Sequence, residues 1–288
     1  MTVYVGSTGS FYGYTAISLA EFIKRIGYIK SNKKLYFRGL SDIGFDLSPS
    51  INRNMLEKQK WLSKESRLVE FAEQTNPEIF SKTLPTLILS NMQHYGIPTR
   101  MMDITGNSLV ALFFACEDEE KDGKVVVFDG SPVSTYNSYA NIISDSYRLV
   151  NNSSVDIDTY IYLIEKQQYA STIFYPDWNK DLKFKSNLIN ILNTPLIIDV
   201  GIINLRQRNQ DGKFILFPNR INDNRVLNEL ITIDETDDFV KAVIRIPKEN
   251  KKKIRDQLKL AGINNGFIYP DDISKVLDDL KNALKSED

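Results

Sequence analysis

The chain has 288 residues, 42% hydrophobic and 25% charged, with 36 basic and 37 acidic side chains for a net charge of −1. That is a globular composition sufficient for one large or two smaller domains, and its charge balance argues against broad electrostatic capture of nucleic acid while leaving room for a local basic cleft from Arg38, Arg100, Arg206 and Arg208. The opening MTVYVGSTGSFYGY lacks the basic start and apolar run of a signal peptide, and no apolar run approaches the ~18 residues that span a bilayer, so a cytoplasmic location without a membrane partner is expected.

In chain order, Ile17, Leu19, Phe22, Ile23 and Ile26 have helical spacing and predict a helix over 15–26, with Thr15 or Ser18 able to cap it. Residues 34–38 (KLYFR) predict a strand ending at Gly39, and Pro49 marks a turn over 46–50. A long amphipathic helix is expected over 55–74, with Leu62, Leu68, Val69 and Phe71 in the core, and Pro77 after it. Thr86 is positioned to cap the next helix, which must stop before Pro98 because the residue preceding proline disfavours helix. Asn107 caps an apolar helix over 108–118, so a helix, a turn and a second helix meet here.

Residues 124–128 (KVVVF) read as a buried strand between Asp-Gly turn signals. Helical and irregular pieces alternate over 131–195, with a loop at 174–178. Strands are expected at 196–203, 213–217, 230–233 and 242–246. Pro247 opens a helix over 248–261, whose KENKKK start reads as a solvated face. A strand or turn over 264–269 and a helix from Asp272 close the chain. Without regular βαβ alternation, the expected class is α+β: a helical N-terminal part packed on a mixed, mainly antiparallel sheet.

The chemistry concentrates between Asn91 and Cys116, which holds the only histidine and the only cysteine. The chain has neither a GxGxxG nor a GxxxxGK[ST] phosphate loop, and one Cys with one His cannot form the usual Cys/His zinc site. No metal is predicted. Cys116 ends an apolar helix and reads as inert core, and a serine triad would lack a GxSxG elbow. His94, amid Gln93, Thr99, Arg100 and Asp103, is either a structural histidine at a helix end or a ligand contact whose tautomer a neighbour fixes. Arg100 is either a fork for phosphate or carboxylate or half of a buried Arg100–Asp103 pair. Arg38 at a strand end fits an anion site, with Gly39 allowing a ligand or backbone to approach closely.

These residues carry a resemblance. Phe37-Arg38-Gly39 is the motif that names the FRG domain family, and Gln93-His94-Tyr95-Gly96-Ile97-Pro98-Thr99-Arg100, with Asp103, Thr105 and Ala111-Leu112-Phe113-Phe114-Ala115, resembles its central block. Arg206, Gln210, Gly212 and Phe214 are similar to a later family signal, and Gly262-Ile263 with Tyr269-Pro270-Asp271 to its closing one. Met101-Met102 stands for the usual leucines, Tyr269 for Phe, and Ile104 for a Trp, which alters a stacking wall. The resemblance implies one FRG-like domain over 1–288, its motifs within about 20–285 and 131–195 a variable insertion, in a module met near mobile or defence genes of bacteria and phages.

Aromatic-Arg-Gly at the end of an early strand also looks like the arginine strand of Arg-type ADP-ribosyltransferases, which hold NAD on a split β core. That likeness implies an NAD- or nucleotide-directed effector, with NAD as substrate, working by ADP-ribosyl transfer or NAD cleavage. His94, Asp103 and Gln210 would be catalytic, and Arg38, Gly39, Gln93, Thr99, Arg100 and Arg206 would bind the ligand. Those transferases use a glutamate on a late strand; the matching region here reads Gln210-Asp211-Gly212, leaving Asp103, Asp211 or Glu229 as the carboxylate. A nucleotide- or phosphate-sensing module without chemistry and a nucleic-acid-binding protein that stacks bases on its aromatics are the alternatives.

Overall fold

The computed structural model describes residues 2–5, 10–52, 64–80, 84–150, 154–174, 178–202 and 204–277. Among the described residues, twelve strands run in chain order: β1 (Thr2–Val5), β2 (Ser10–Thr15), β3 (Lys34–Leu40), β4 (Met101–Thr105), β5 (Gly123–Gly130), β6 (Val133–Ser134), β7 (Ser154–Asp156), β8 (Leu196–Asp199), β9 (Gly212–Leu216), β10 (Asn219–Asn222), β11 (Arg225–Leu230) and β12 (Val240–Ile246). Nine form one sheet in the order β1-β2-β12-β5-β3-β4-β9-β8-β6, and β10-β11-β7 form a small second sheet. Among these described strands only β12 with β2 and β6 with β8 run parallel. The α+β class with a mixed, mainly antiparallel sheet is therefore what the chain adopts. No described helix is long and apolar enough to cross a membrane.

The main helices are α1 (Leu19–Ile26), α2 (Glu65–Thr75), α3 (Pro85–His94), α4 (Ser108–Ala115), α5 (Ser138–Ser144), α6 (Ile157–Glu165), α7 (Leu182–Ile191), α8 (Leu205–Asn209), α9 (Lys248–Leu260) and α10 (Asn265–Ile268). Ser18 caps α1, accepting from the Glu21 N–H at 3.2 Å, and Asn107 caps α4, accepting from the Leu109 N–H at 3.0 Å. α3 ends in a Schellman motif: Gly96 takes φ +77°, its N–H donates to the Gln93 carbonyl, and the Ile97 N–H reaches back to Met92. Gly262-Ile263 ends α9 the same way, its N–H groups donating to Lys259 and Leu258. The two Gly-Ile motifs thus share one local cause.

The sheet separates two cores. Phe37, Val125, Val127 and Ile244 pack against α4, α1 and α9 on one side; Tyr36, Met102, Ile104, Val126, Phe128 and Ile215 fill the other. A third core joins α3, α5, α6 and α7 to Met101, Phe214 and Leu216. Segment 131–195, read as an insertion, is the bulk of that helical layer.

Several local expectations are corrected. The sequence pattern does not show β1, β2 and β4, and the first 130 residues supply one edge and the middle of the sheet as well as helices. The helix expected over 55–74 is met as α2; residues 55–63 lie outside the described residues. Val69 is buried there, but Phe71 is 61% exposed. Thr86 does not cap α3: it is buried, and its hydroxyl donates to the Thr135 carbonyl and the Asn141 amide oxygen. Residues 264–269 form the short α10 rather than a strand. Lys251, inside the presumed solvated run, is fully buried; its Nζ donates to the carbonyls of Ser41 (2.7 Å) and Asp118 (2.5 Å), tying α9 to the loops after β3 and α4. Burial holds its pKa below the usual lysine range.

Candidate functional site

The sheet opens where β3 meets β4. β3 pairs with β5 along its whole length and β4 with β9 along its own, yet β3 and β4 share a single residue pair, Phe37 opposite Thr105. Beyond that pair lies a cleft of about 390 Å³, within the ~300–1,000 Å³ range of small-molecule sites. The lips are Arg38 and Asp103, and the Arg38 guanidinium donates to the Asp103 carbonyl across the opening.

Strand alternation sets the wall. Met102 and Ile104 point into one core, Met101 into the helical layer, and Asp103, one step further on Met101's face, is exposed at the cleft. Phe214, its cross-strand partner, lines the cleft beside it. Ile104 directs its side chain into the core, so this position is not a stacking wall. Phe114 and the half-exposed Phe45 supply aromatic surface instead.

α3 brings Ser90, Gln93 and His94 to the cleft on one helix face. Gln93 is held from both ends. Its Oε1 accepts from the hydroxyls of Thr99 (2.7 Å) and Ser50 (3.2 Å), and its Nε2 donates to Asp103 Oδ2 at 3.0 Å. A fixed amide thus orients the carboxylate. His94 is exposed, with Nδ1 3.1 Å from the Asn204 amide nitrogen.

The opposite wall is α8 and the chain end of α4. Arg206 lines the cleft with its guanidinium 5.0 Å from the Tyr269 ring. Tyr269 donates its hydroxyl to Glu117 at 2.5 Å, and Glu117 also lines the cleft. Burial and this carboxylate push the Tyr269 pKa up. Lys213 adds a cation, paired with Asp199 at 3.1 Å and Asp211 at 3.6 Å.

Of the residues named from sequence, Arg38, Gly39, Gln93, His94, Asp103, Arg206 and Gln210 line this cleft; Thr99 and Arg100 do not. Arg100 is 1% exposed on the far side of the turn. It makes a fork to Glu65, with Nε at 3.0 Å and Nη2 at 2.5 Å, and donates Nη1 to Asn219 (2.6 Å) and the Ile143 carbonyl (3.0 Å). Its partner is Glu65 rather than Asp103, and its donors are occupied within the fold. Burial pulls its pKa down, but Glu65, with Tyr160 and Tyr147, raises it in sum by more, so it stays charged. Thr99 is fully buried and acts through Gln93.

Two further positions are shaped by packing. At Gly39, which also lines the cleft, the close neighbour is backbone, since a Cβ would lie 1.8 Å from the Ala111 carbonyl oxygen of α4. Gln210 spends its amide nitrogen on the Ile268 carbonyl at 2.9 Å, tethering α10 to the wall. Asp211 (φ +44°) forms the turn before β9, and neither it nor the exposed Glu229 lines the cleft. Cys116 is buried, its thiol pushed up to about 12, as its apolar helix implied. Among the described residues no group of His, Cys, Asp and Glu could hold a metal ion.

Sequence reasoning missed Glu117 and Ser90. Glu117 follows an apolar run, and only the tight packing of α4 on Gly39 brings it to the Arg38 strand.

The model of the FRG domain family matches residues 33–124. That stretch is similar to an FRG domain. The matched segment holds both lips of the cleft, all of α3 and Glu117, whereas Arg206, Gln210 and Phe214 come from outside the match. No curated protein and no solved structure matches the chain.

Proposed function

We propose that this cleft takes an NAD-type nucleotide and acts at its N-glycosidic bond, by ADP-ribosyl transfer or NAD cleavage. The observation that carries the reading is the lip of the split sheet. Asp103 stands exposed there with its carboxylate oriented by Gln93 at 3.0 Å, while Arg38 grips the same residue's carbonyl. A carboxylate and a guanidinium are thereby offered side by side to one ligand. Arg38 and Arg206 supply charge for a pyrophosphate. Phe214, Phe114 and Phe45 supply flat apolar surface for rings.

In the reaction the C1′–N bond breaks, its electron pair leaves with nicotinamide, and positive charge develops at the ribose C1′. Asp103, held in place beforehand, stabilises that charge. Water or an acceptor side chain then bonds to C1′ and loses its proton. An effector that consumes or transfers NAD, in a toxin or defence setting, is the biological form of this chemistry.

A sensing module is the second reading, favoured by one observation: both cleft carboxylates already accept a hydrogen bond, Asp103 from Gln93 and Glu117 from Tyr269. Incubation with NAD and a panel of nucleotides, with products read by mass spectrometry, separates the two. Release of nicotinamide supports the enzyme; NAD bound but intact after hours supports the sensor; no binding of any nucleotide removes both.

A further inference from the structure

Ser90 lies on α3 one turn before Gln93 and His94 and lines the cleft with them. It is 1% exposed, and its hydroxyl has no hydrogen-bond partner among the described residues. Helical serines can return the hydroxyl to the carbonyl four residues back. Ser146 does so, donating to Ile142 at 3.1 Å; Ser90 does not. A buried hydroxyl left unpaired is a standing cost to the fold. At the wall of a cleft the missing partner can come from whatever fills that cleft. Gln93 does not supply it: its amide bonds Asp103, Thr99 and Ser50 instead.

The chemical class follows from what surrounds the hydroxyl. α3 presents its C-terminal turns to the cleft, the negative end of its dipole, which disfavours phosphate or carboxylate. The cations Arg38 and Arg206 stand on β3 and α8 instead. A hydroxyl both donates and accepts, so it suits an amide or a sugar hydroxyl. We infer that Ser90 is a specificity-determining residue that takes an uncharged hydrogen-bonding group of the ligand, with the phosphates held on the arginine side. This inference rests on the nucleotide reading above and adds the direction in which the ligand lies.

Ser144 is the control. It is fully buried on α5, its hydroxyl also lacks a partner among the described residues, and it does not line the cleft. Wild-type protein, S90A and S144A are titrated calorimetrically with NAD and with its nicotinic acid counterpart, which carries a carboxylate in place of the amide; each free protein is also melted. Both substitutions are expected to raise the Tm of the free protein by about 2 °C, as removal of an uncompensated hydroxyl should. S90A is expected to bind NAD about tenfold more weakly and to lose part of the preference for the amide over the carboxylate, while S144A binds as wild type does. S90A binding NAD as tightly as wild type overturns the inference and leaves the nucleotide reading standing. A lowered Tm for S90A shows that the hydroxyl is already satisfied in the free protein, and overturns it too. Wild-type protein that binds neither dinucleotide overturns both.

Discussion

The segment from Gln93 to Asp103 faces two ways. Inward, Thr99 and Arg100 are buried, and Arg100 spends its donors on Glu65, Asn219 and Ile143. Outward, Gln93, His94 and Asp103 sit in the cleft, and Ser90 beside them keeps a hydroxyl without a partner among the described residues. The same short stretch is closed on one side and open on the other. Residue type alone does not tell the sides apart, since each arginine could bind an anion; what separates them is place, Arg100 being buried against Glu65 and Arg38 lining the cleft.

The sharpest way to test that division is on the inward side. Arg100→Leu leaves Glu65 buried without its cation, and breaking such a pair costs about 3–5 kcal/mol. Urea unfolding should show that loss, whereas a change below 1 kcal/mol would mean that the pair contributes little. On the outward side, Asp103→Asn should change stability by no more than about 0.5 kcal/mol because the side chain is exposed. Nicotinamide release should nonetheless fall by about 10²–10³, roughly 2.7–4 kcal/mol in the barrier. Paired unfolding and turnover assays check both halves.

Gly39→Ala probes the joint between the two sides. Its Cβ would enter the Ala111 carbonyl, and overpacking of this kind costs about 1–3 kcal/mol. Because Arg38 adjoins it on β3, the melting temperature and NAD affinity should drop together; a drop in affinity alone would place Gly39 on the ligand instead.

A further effect is one of pH. Asp145 is 2% exposed, and burial pushes its carboxyl up to about 7 despite Arg148 at 3.1 Å. A carboxyl raised above its unfolded value of about 3.9 stabilises most when protonated. Its contribution is therefore full below pH 4 and is lost as pH rises toward and through 7, at no more than about 1.4 kcal/mol per pH unit. Wild-type stability should decline over that window relative to D145N, and parallel curves would show that Asp145 ionises normally.

Much of this was legible beforehand, and the gaps have physical causes. The α3 and α4 helices, β3, β5, β8, β9 and β12 follow from periodicity and capping, whereas the strand expected at 230–233 is met only at Leu230, the last residue of β11. β4 hid because Met101-Met102 carries no β-branched signal and lies between two helices, although Met101 and Met102 serve opposite cores as a strand requires. The cleft residues within 93–103 stood out as a crowd of polar types. Arg100 was misplaced because its partner, Glu65, is 35 residues away, a separation no local pattern spans. Lys251 reads as a solvated lysine in the sequence because its two acceptors are backbone carbonyls, which have no sequence signature. Ser90 and Glu117 became visible only once α3 and α4 were folded onto the sheet.

The most direct test of the account is nicotinamide release from NAD by wild-type protein and by D103N, with both shown to be equally folded. The account predicts release by the wild type and its loss in D103N. Equal release from both, or none from a wild type that binds NAD, would contradict it.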